Sequence, residues 1–519
     1  MEAIISLLTL IVFIYIMTAV MKHSFGLIFG NWFTSTSTTN TTNTLSFPFK
    51  AIRRMLTSKF NSGFMNSFEA NKFLNESHRG LVIDGDTKRL TPKDSFNHLV
   101  VMARAGAGKT TGFIIPNIFR LASSNASMVV TDLSGELYEK TSGYLKSKGY
   151  KILVLNPENL NESMRYNPLF YATDSLSIDE MADSLIQSSY SGNLKAEDKI
   201  WLDGAKQLIC ILGKTLLNTG NYRYINLANI NRLINSYGAD GSTLDPFIYK
   251  YADTETFDEW KGFVSGNPKT VLSFVSTAKM ALTAIAVNDN LKKLTAHHTI
   301  NFDNLRKEKT IIYIKIPTQK QSQYSFILNI FYLQLFNNLM NSLPTKSDLA
   351  IYCLLDEFGN MNIPNFSSII TSIRKYNVSI SIILQNINQL KLKYGEYEAK
   401  TILDGGISSK IYFSGADYET ITMLEHMLGT KIIEEEQNGT VYKKEVPVLS
   451  ARDIRTMKDN EIIFLYGNKL PLKLQVTPYY EKSSFKSYAN YKISSPILAR
   501  DINDIIDYID LDIDFENEK

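Results

Sequence analysis

Cysteine is almost missing from this chain: among 519 residues there are two, Cys210 and Cys353, the second inside an apolar run. That scarcity excludes a disulfide framework and a cysteine-based zinc site, and it fits a reducing cytoplasm for the bulk of the chain. An excess of charge of one sign is missing too. Lys and Arg number 55 against 52 Asp and Glu, a net charge of +3, so any contact with nucleic acid has to come from a local patch and not from the overall field. Only one apolar run is long enough to span a bilayer. Residues 3–21, AIISLLTLIVFIYIMTAVM, are 19 residues without a charge, enough as a helix to cross roughly 28 Å of hydrocarbon. Glu2 precedes the run and Lys22 and His23 follow it, which is not the pattern of a cleaved leader. The bases Lys22, Lys50, Arg53, Arg54 and Lys59 all lie on its C-terminal side, so the expectation is a single-pass cell (inner) membrane anchor over 1–22 with the rest in the cytoplasm. Residues 23–80 read as a juxtamembrane segment with a polar linker, TSTSTTNTTN at 34–43.

What is present is a cradle for phosphates. NHLVVMARAGAGKTTGFIIPN, residues 97–117, is a short apolar strand, a loop of small residues and then a helical pattern. Arg104, Ala105, Gly106, Ala107, Gly108, Lys109, Thr110 and Thr111 form the candidate loop. Backbone N–H groups and a helix N-terminus would face a polyphosphate, Lys109 would reach the β and γ phosphates, and the Thr110 hydroxyl would join a Mg²⁺ shell. Ala103 stands at the first position, where glycine is usual. The expected cofactors are therefore ATP and Mg²⁺.

Strand and helix patterns alternate after the cradle, and unalternated apolar strands in such a series imply a parallel sheet covered on both faces. Residues 176–299 break the series with amphipathic helical stretches and no convincing strand, which predicts an inserted all-α domain of roughly 120 residues. Strands then resume, and one of them, residues 351–355, ends in Asp356-Glu357. A nucleoside triphosphatase needs one carboxylate for the Mg²⁺ shell and a second to orient and activate water, the roles expected of Asp356 and Glu357. A later strand, 378–384, delivers Gln385 to the same edge, within reach of the γ-phosphate or the water. Arg374 has two readings, a surface cation at a helix C-terminus or a finger reaching a neighbouring subunit's nucleotide.

These segments together resemble the TraG/TraD-type coupling proteins of bacterial conjugation and type IV secretion, membrane-anchored members of the FtsK/HerA branch of RecA-like motor ATPases. The likeness runs over about residues 80–475. It is carried by the cradle with Pro116 in its helix, TDLSGELYEKTSGYL at 131–145, YNPL at 166–169, LLDEFGNMNIPNF at 354–366 and SIRKYNVSISIILQNINQLKLKYG at 372–395. The resemblance implies an α/β fold: a RecA-like P-loop domain with a mostly parallel central sheet over 81–175 and 300–490, the all-α insertion at 176–299, and the N-terminal transmembrane helix. It implies catalytic roles for Lys109, Glu357, Gln385 (a sensor) and Arg374 (a trans finger) in a homohexamer. Its implied partners are a single-stranded DNA–relaxase complex, met by the insertion, and type IV secretion channel components. Two departures stand out: Ser134 occupies a position where many members carry lysine or asparagine, and one membrane span is found where many members have two. An FtsK/HerA-like translocase outside conjugation, or a secretion receptor using ATP structurally, are the alternative readings. Residues 491–519 form an acidic tail whose Ile502, Ile505, Ile506 and Ile509 share helical spacing. Such a helix would either recruit a basic partner or pack on its own ATPase domain.

Overall fold

The computed structural model describes residues 63–189, 196–437, 440–496 and 504–511. The expected span at 3–21 and the linker at 34–43 lie outside the described residues. Among the described residues no helix is long and apolar enough to cross a membrane.

The frame is one nine-stranded sheet. Its strands in chain order are β1 (Leu99–Met102), β2 (Ala126–Thr131), β3 (Lys151–Leu155), β4 (Thr310–Ile314), β5 (Ala350–Leu355), β6 (Val378–Leu384), β7 (Ser409–Phe413), β10 (Glu461–Tyr466) and β11 (Leu472–Gln475). A separate hairpin pairs β8 (Thr430–Gln437) with β9 (Thr440–Pro447). The spatial order is β11-β10-β7-β1-β6-β5-β2-β4-β3, so β1 lies between β6 and β7. Strands β3, β4, β2, β5, β6, β1 and β7 pair in parallel, and β10 and β11 close one edge antiparallel.

Burial on both faces explains why the inner strands read as unbroken apolar runs. Val100 and Met102 of β1 enter one core, Leu99 and Val101 the other, and the same alternation separates Cys353 and Leu355 from Tyr352 and Leu354 on β5. On the second face pack helices Ile115–Leu121, Glu136–Ser147 and Ser483–Ala489, with Phe119, Tyr144, Phe485 and Tyr488 ring against ring. On the first lies the helix Gln321–Met340, apolar almost all round as a buried helix must be.

Between β3 and β4 the described residues hold helices and no strand, from Ser175–Ser189 and Ala196–Asn218 to Asp289–Ala296. Ala196–Asn218, 23 residues long, is the axis against which Ser175–Ser189, Thr254–Val264 and Pro268–Ala281 pack.

The described part of the acidic tail, 504–511, has no regular secondary structure where the isoleucine spacing predicts a helix. Its backbone is read by side chains instead. Asn229 donates Nδ2–H to the Asp507 carbonyl at 2.9 Å and accepts from Ile509 N–H at 3.0 Å, and Arg232 donates to the Ile509 carbonyl at 3.1 Å. Arg165 grips the Asp504 carboxylate through Nε and Nη2, at 2.7 to 3.0 Å. Ile509 is buried. These bonds give part of the segment's backbone fixed partners outside a helix, so docking outweighs the local preference. Arg165→Ala removes the charge-assisted bonds, of order 1.5–3 kcal/mol. It is expected to speed proteolytic cleavage within 504–511 by about tenfold or more, read by mass spectrometry of limited digests.

Candidate nucleotide site

The cradle follows β1 directly. Gly106 and Gly108 have φ of 76° and 85°, left-handed conformations that glycine adopts without steric cost. They turn the chain so that Lys109 starts the helix. A Cβ built on Gly106 meets nothing within 4 Å, so the mouth of the loop is open on that side. The first helical turn, Thr110–Ile114, is a π-turn in which Ile115 N–H donates to the Thr110 carbonyl. The wider turn bears on Pro116: it stands at the junction between the π-turn and the α-helix Ile115–Leu121, where the regular i to i−4 ladder is already interrupted.

Lys109, buried, reaches across to β5. Its Nζ lies 2.5 Å from Glu357 Oε1 and 3.9 Å from Asp356 Oδ1. Gln385, at the end of β6, donates Nε2–H to Glu357 Oε2 at 3.1 Å. Four residues from three strand ends thus meet at one edge, as an open parallel sheet arranges them. Burial, with the Glu357 and Asp132 carboxylates nearby, raises the Asp356 carboxyl to about 6, while the Lys109 ammonium opposes the shift. A half-paired acidic pair facing one ammonium is a donor set that a divalent cation and phosphate oxygens would complete.

The remaining loop residues are spread along the mouth. Thr110 is half-buried at the helix start, Thr111 donates its hydroxyl to the Gly108 carbonyl at 3.3 Å, and Ala107 is half-buried. Arg104 and Ala105 are exposed, with Arg104 Nη2 3.7 Å from Asp459.

Arg374 is not brought into this cluster. It sits in the turn Ile373–Tyr376 that precedes β6, at the opposite edge of the sheet from Gln385, a strand length of roughly 20 Å away. Its side chain is exposed and forms no ion pair with a described residue. Behind it, His98 is buried with φ of 58°, its Nδ1 accepting from Ile380 N–H at 3.1 Å. Burial lowers the His98 imidazole to about 3, and the neighbouring Arg374 charge acts in the same direction. The unfolded chain therefore binds a proton below pH 6.5 that the native state refuses. The stability this group supports is fully present above pH 6.5 and falls by about 1.4 kcal/mol per pH unit below it, down towards pH 3. His98→Asn, which keeps an acceptor and tolerates the left-handed backbone, is expected to flatten that part of the acid limb in urea titrations between pH 6.5 and 4.

A family model described as type IV secretory system conjugative DNA transfer matches residues 65–497. The chain belongs to that family. It is 23% identical over 437 residues to the protein VirD4 of Rhizobium rhizogenes, covering 78% of this chain and 63% of that protein. It is 20% identical over 424 residues to a probable conjugal transfer protein TraG of Sinorhizobium fredii, covering 77% and 64%. The chain thus spans a little under two thirds of the length of the curated relatives it matches. Among solved structures, the bacterial conjugative coupling protein TrwBdeltaN70 in complex with sulphate superposes with a TM-score of 0.63 at 16% identity, covering 81% of this chain and 94% of that one. The plasmid coupling protein TrwB in complex with ADP and Mg²⁺ gives 0.61, also at 16% identity, over 80% and 93%. These likenesses establish the fold, a RecA-like one with a large mostly parallel sheet.

Within this family member, sequence reasoning passed over three supporting residues. Asp132, at the end of β2, is buried and accepts from Leu137 N–H at 3.2 Å and Tyr138 N–H at 2.8 Å, which caps the helix Glu136–Ser147; burial raises its carboxyl. The signal was the one used for Asp356, an acid ending an apolar strand. Gln389 accepts from Gln385 N–H at 2.9 Å and fixes the backbone that presents Gln385. Asn360 donates to Gln321 Oε1 at 3.0 Å just beyond the acidic pair; neither residue has a pattern of its own.

Proposed function

We propose that the chain is a membrane-anchored ATPase of conjugative DNA transfer, a coupling protein that links a relaxase–DNA complex to a type IV secretion channel and drives or licenses its export. The observation that carries this reading is the convergence of Lys109, Asp356, Glu357 and Gln385 on one sheet edge in a member of the conjugative DNA-transfer family.

In this reading Arg104 to Thr111 wrap the phosphates of ATP, with Lys109 exchanging its carboxylate partners for phosphate oxygens. Asp356 and the Thr110 hydroxyl would hold Mg²⁺, which would neutralise charge on the phosphates. Released from Lys109, Glu357 is free to orient the attacking water and take its proton, and Gln385, bonded to the Glu357 carboxylate beforehand, follows that movement. Arg374 faces outward on the far edge, so its cation serves the cradle of a neighbouring copy, which calls for a ring; we assign a homohexamer. Residues 3–21 anchor the ring in the cell membrane, and 176–299 form an inserted domain that meets the DNA–protein cargo. The test is ATP hydrolysis by the full-length chain with and without single-stranded DNA, beside Lys109→Ala. DNA-stimulated turnover that Lys109→Ala abolishes is the expected result. Tight ATP binding with no turnover under any DNA condition would replace the motor with a docking platform stabilised by nucleotide.

A further inference from the structure

The backbone around the acidic pair is held in an unusual state. Two non-glycine residues, Glu357 with φ of 52° and Asn365 with φ of 56°, bracket the segment in the left-handed region, which L-residues disfavour and which persists only where surrounding contacts over-determine it. Those contacts come from two sides. Towards the Gln385 side, Gly359 lies so close to Gln389 that a Cβ would stand 2.7 Å from that side chain, and Ile363 N–H donates to the hydroxyl of the half-buried Tyr394 at 3.0 Å. Towards the insertion, Asn360 bonds Gln321, and Asn362 N–H donates to Asn329 Oδ1 at 3.0 Å.

Asn329 is the unexpected member. It is buried in the middle of the helix Gln321–Met340, the one polar residue in its apolar stretch 326–333, between Leu328 and Ile330. Leucine, with the same number of side-chain heavy atoms, would meet the packing need without desolvating an amide. The amide instead spans two units: Oδ1 takes the Asn362 N–H, and Nδ2 donates to Ser188 Oγ at 3.1 Å, on Ser175–Ser189, the first helix of the helical insertion. The path from the Glu357 loop to the insertion is two hydrogen bonds long and passes through one side chain.

We propose that Asn329 is a positioning residue that passes the state of the Glu357 loop to the first helix of the helical insertion. When Lys109 leaves Glu357 for phosphate, the loop can relax its left-handed residues; Asn362 then shifts, and Asn329 must turn or break with Ser188. By reciprocity, whatever the insertion binds biases the Glu357 loop by the same factor. The inference rests on the nucleotide reading above.

The experiment is hydrogen exchange of Ser175–Ser189 amides in the full-length chain, with and without Mg²⁺ and a non-hydrolysable ATP analogue, beside a fluorescent-analogue titration of each variant. In the natural sequence the analogue is expected to change exchange of this helix by about fivefold or more, the lower end of ordinary coupling. Asn329→Leu and Ser188→Ala are expected to keep analogue affinity and lose the change, and Ser188→Thr, which retains a hydroxyl, to restore it. Ser188→Ala guards against a folding defect in the core variant. Persistence of the change in both variants overturns the proposal, as does a natural chain that binds the analogue with no change in this helix. A chain that binds no analogue in the titration overturns the nucleotide reading, and this inference with it.

Discussion

Glu357→Gln is expected to leave ATP affinity within about threefold and to lower turnover by about a thousandfold, some 4 kcal/mol of barrier. The asymmetry follows from the contacts. Glutamine keeps an oxygen for Lys109 and fills the same volume between Lys109 and Gln385, whose own amide can rotate to present its oxygen to the new amide nitrogen. What is lost is the group that can accept a proton from water. Removing the negative charge beside Asp356 also takes away one of the causes that raise that carboxyl, which favours a charged, metal-binding Asp356. Affinity from a fluorescent ATP analogue and single-turnover hydrolysis check the two halves separately. Turnover within a few-fold of the natural chain would remove Glu357 from the base role.

Arg374→Ala is expected to cost 10³ to 10⁵ in turnover, the range of an arginine delivered in trans to a phosphoryl group, about 4–7 kcal/mol. The position argues for trans action: at the edge of the sheet opposite Lys109, the guanidinium cannot reach its own cradle without unmaking β6. The decisive measurement mixes two inactive variants, Arg374→Ala and Lys109→Ala. In a ring, an intact cradle on one copy meets an intact arginine on the next, and part of the activity returns. No recovery over a range of mixing ratios would return Arg374 to the role of a surface cation.

The parts of this molecule that the sequence made legible share one physical cause. Each inner strand must be apolar on both sides, so the first polar residue after it marks the sheet edge; Asp356 and Gln385 stand just beyond such runs, and Lys109 closes the small-residue loop that follows another. Strand β11, only LKLQ, closes an edge half-exposed and carries Lys473 opposite Ile463, so its pattern resembles loop. The hairpin β8–β9 is held by cross-strand pairs such as Glu434 with Lys443, which appear only once register is known. Pro116 would kink a helix of regular pitch, and the π-turn ahead of it is not visible to propensity, which assumes a single pitch. The tail escaped for a different reason: Ile509 and its neighbours obey helical spacing, but Asn229 and Arg232, some 280 residues earlier, offered a better set of partners. Asn329 carries no pattern at all, since a lone polar residue in an apolar stretch gains meaning from what it faces.

Strand β1 lies between β6 and β7, and that order governs how the protein is made. The four residues before the cradle pair with Ser381–Leu384 on one side and Ser409–Tyr412 on the other, so a ribosome must add some three hundred residues before either flank exists. At ordinary synthesis rates that takes about 15 to 60 s, during which Leu99, Val100, Val101 and Met102 have no sheet to enter. The intervening helices can mature meanwhile, being rich in local contacts, and the sheet closes last. A stop codon before β7 would therefore leave β1 with one flank unpaired, and the truncated chain is expected to aggregate, read by its partition into the insoluble fraction.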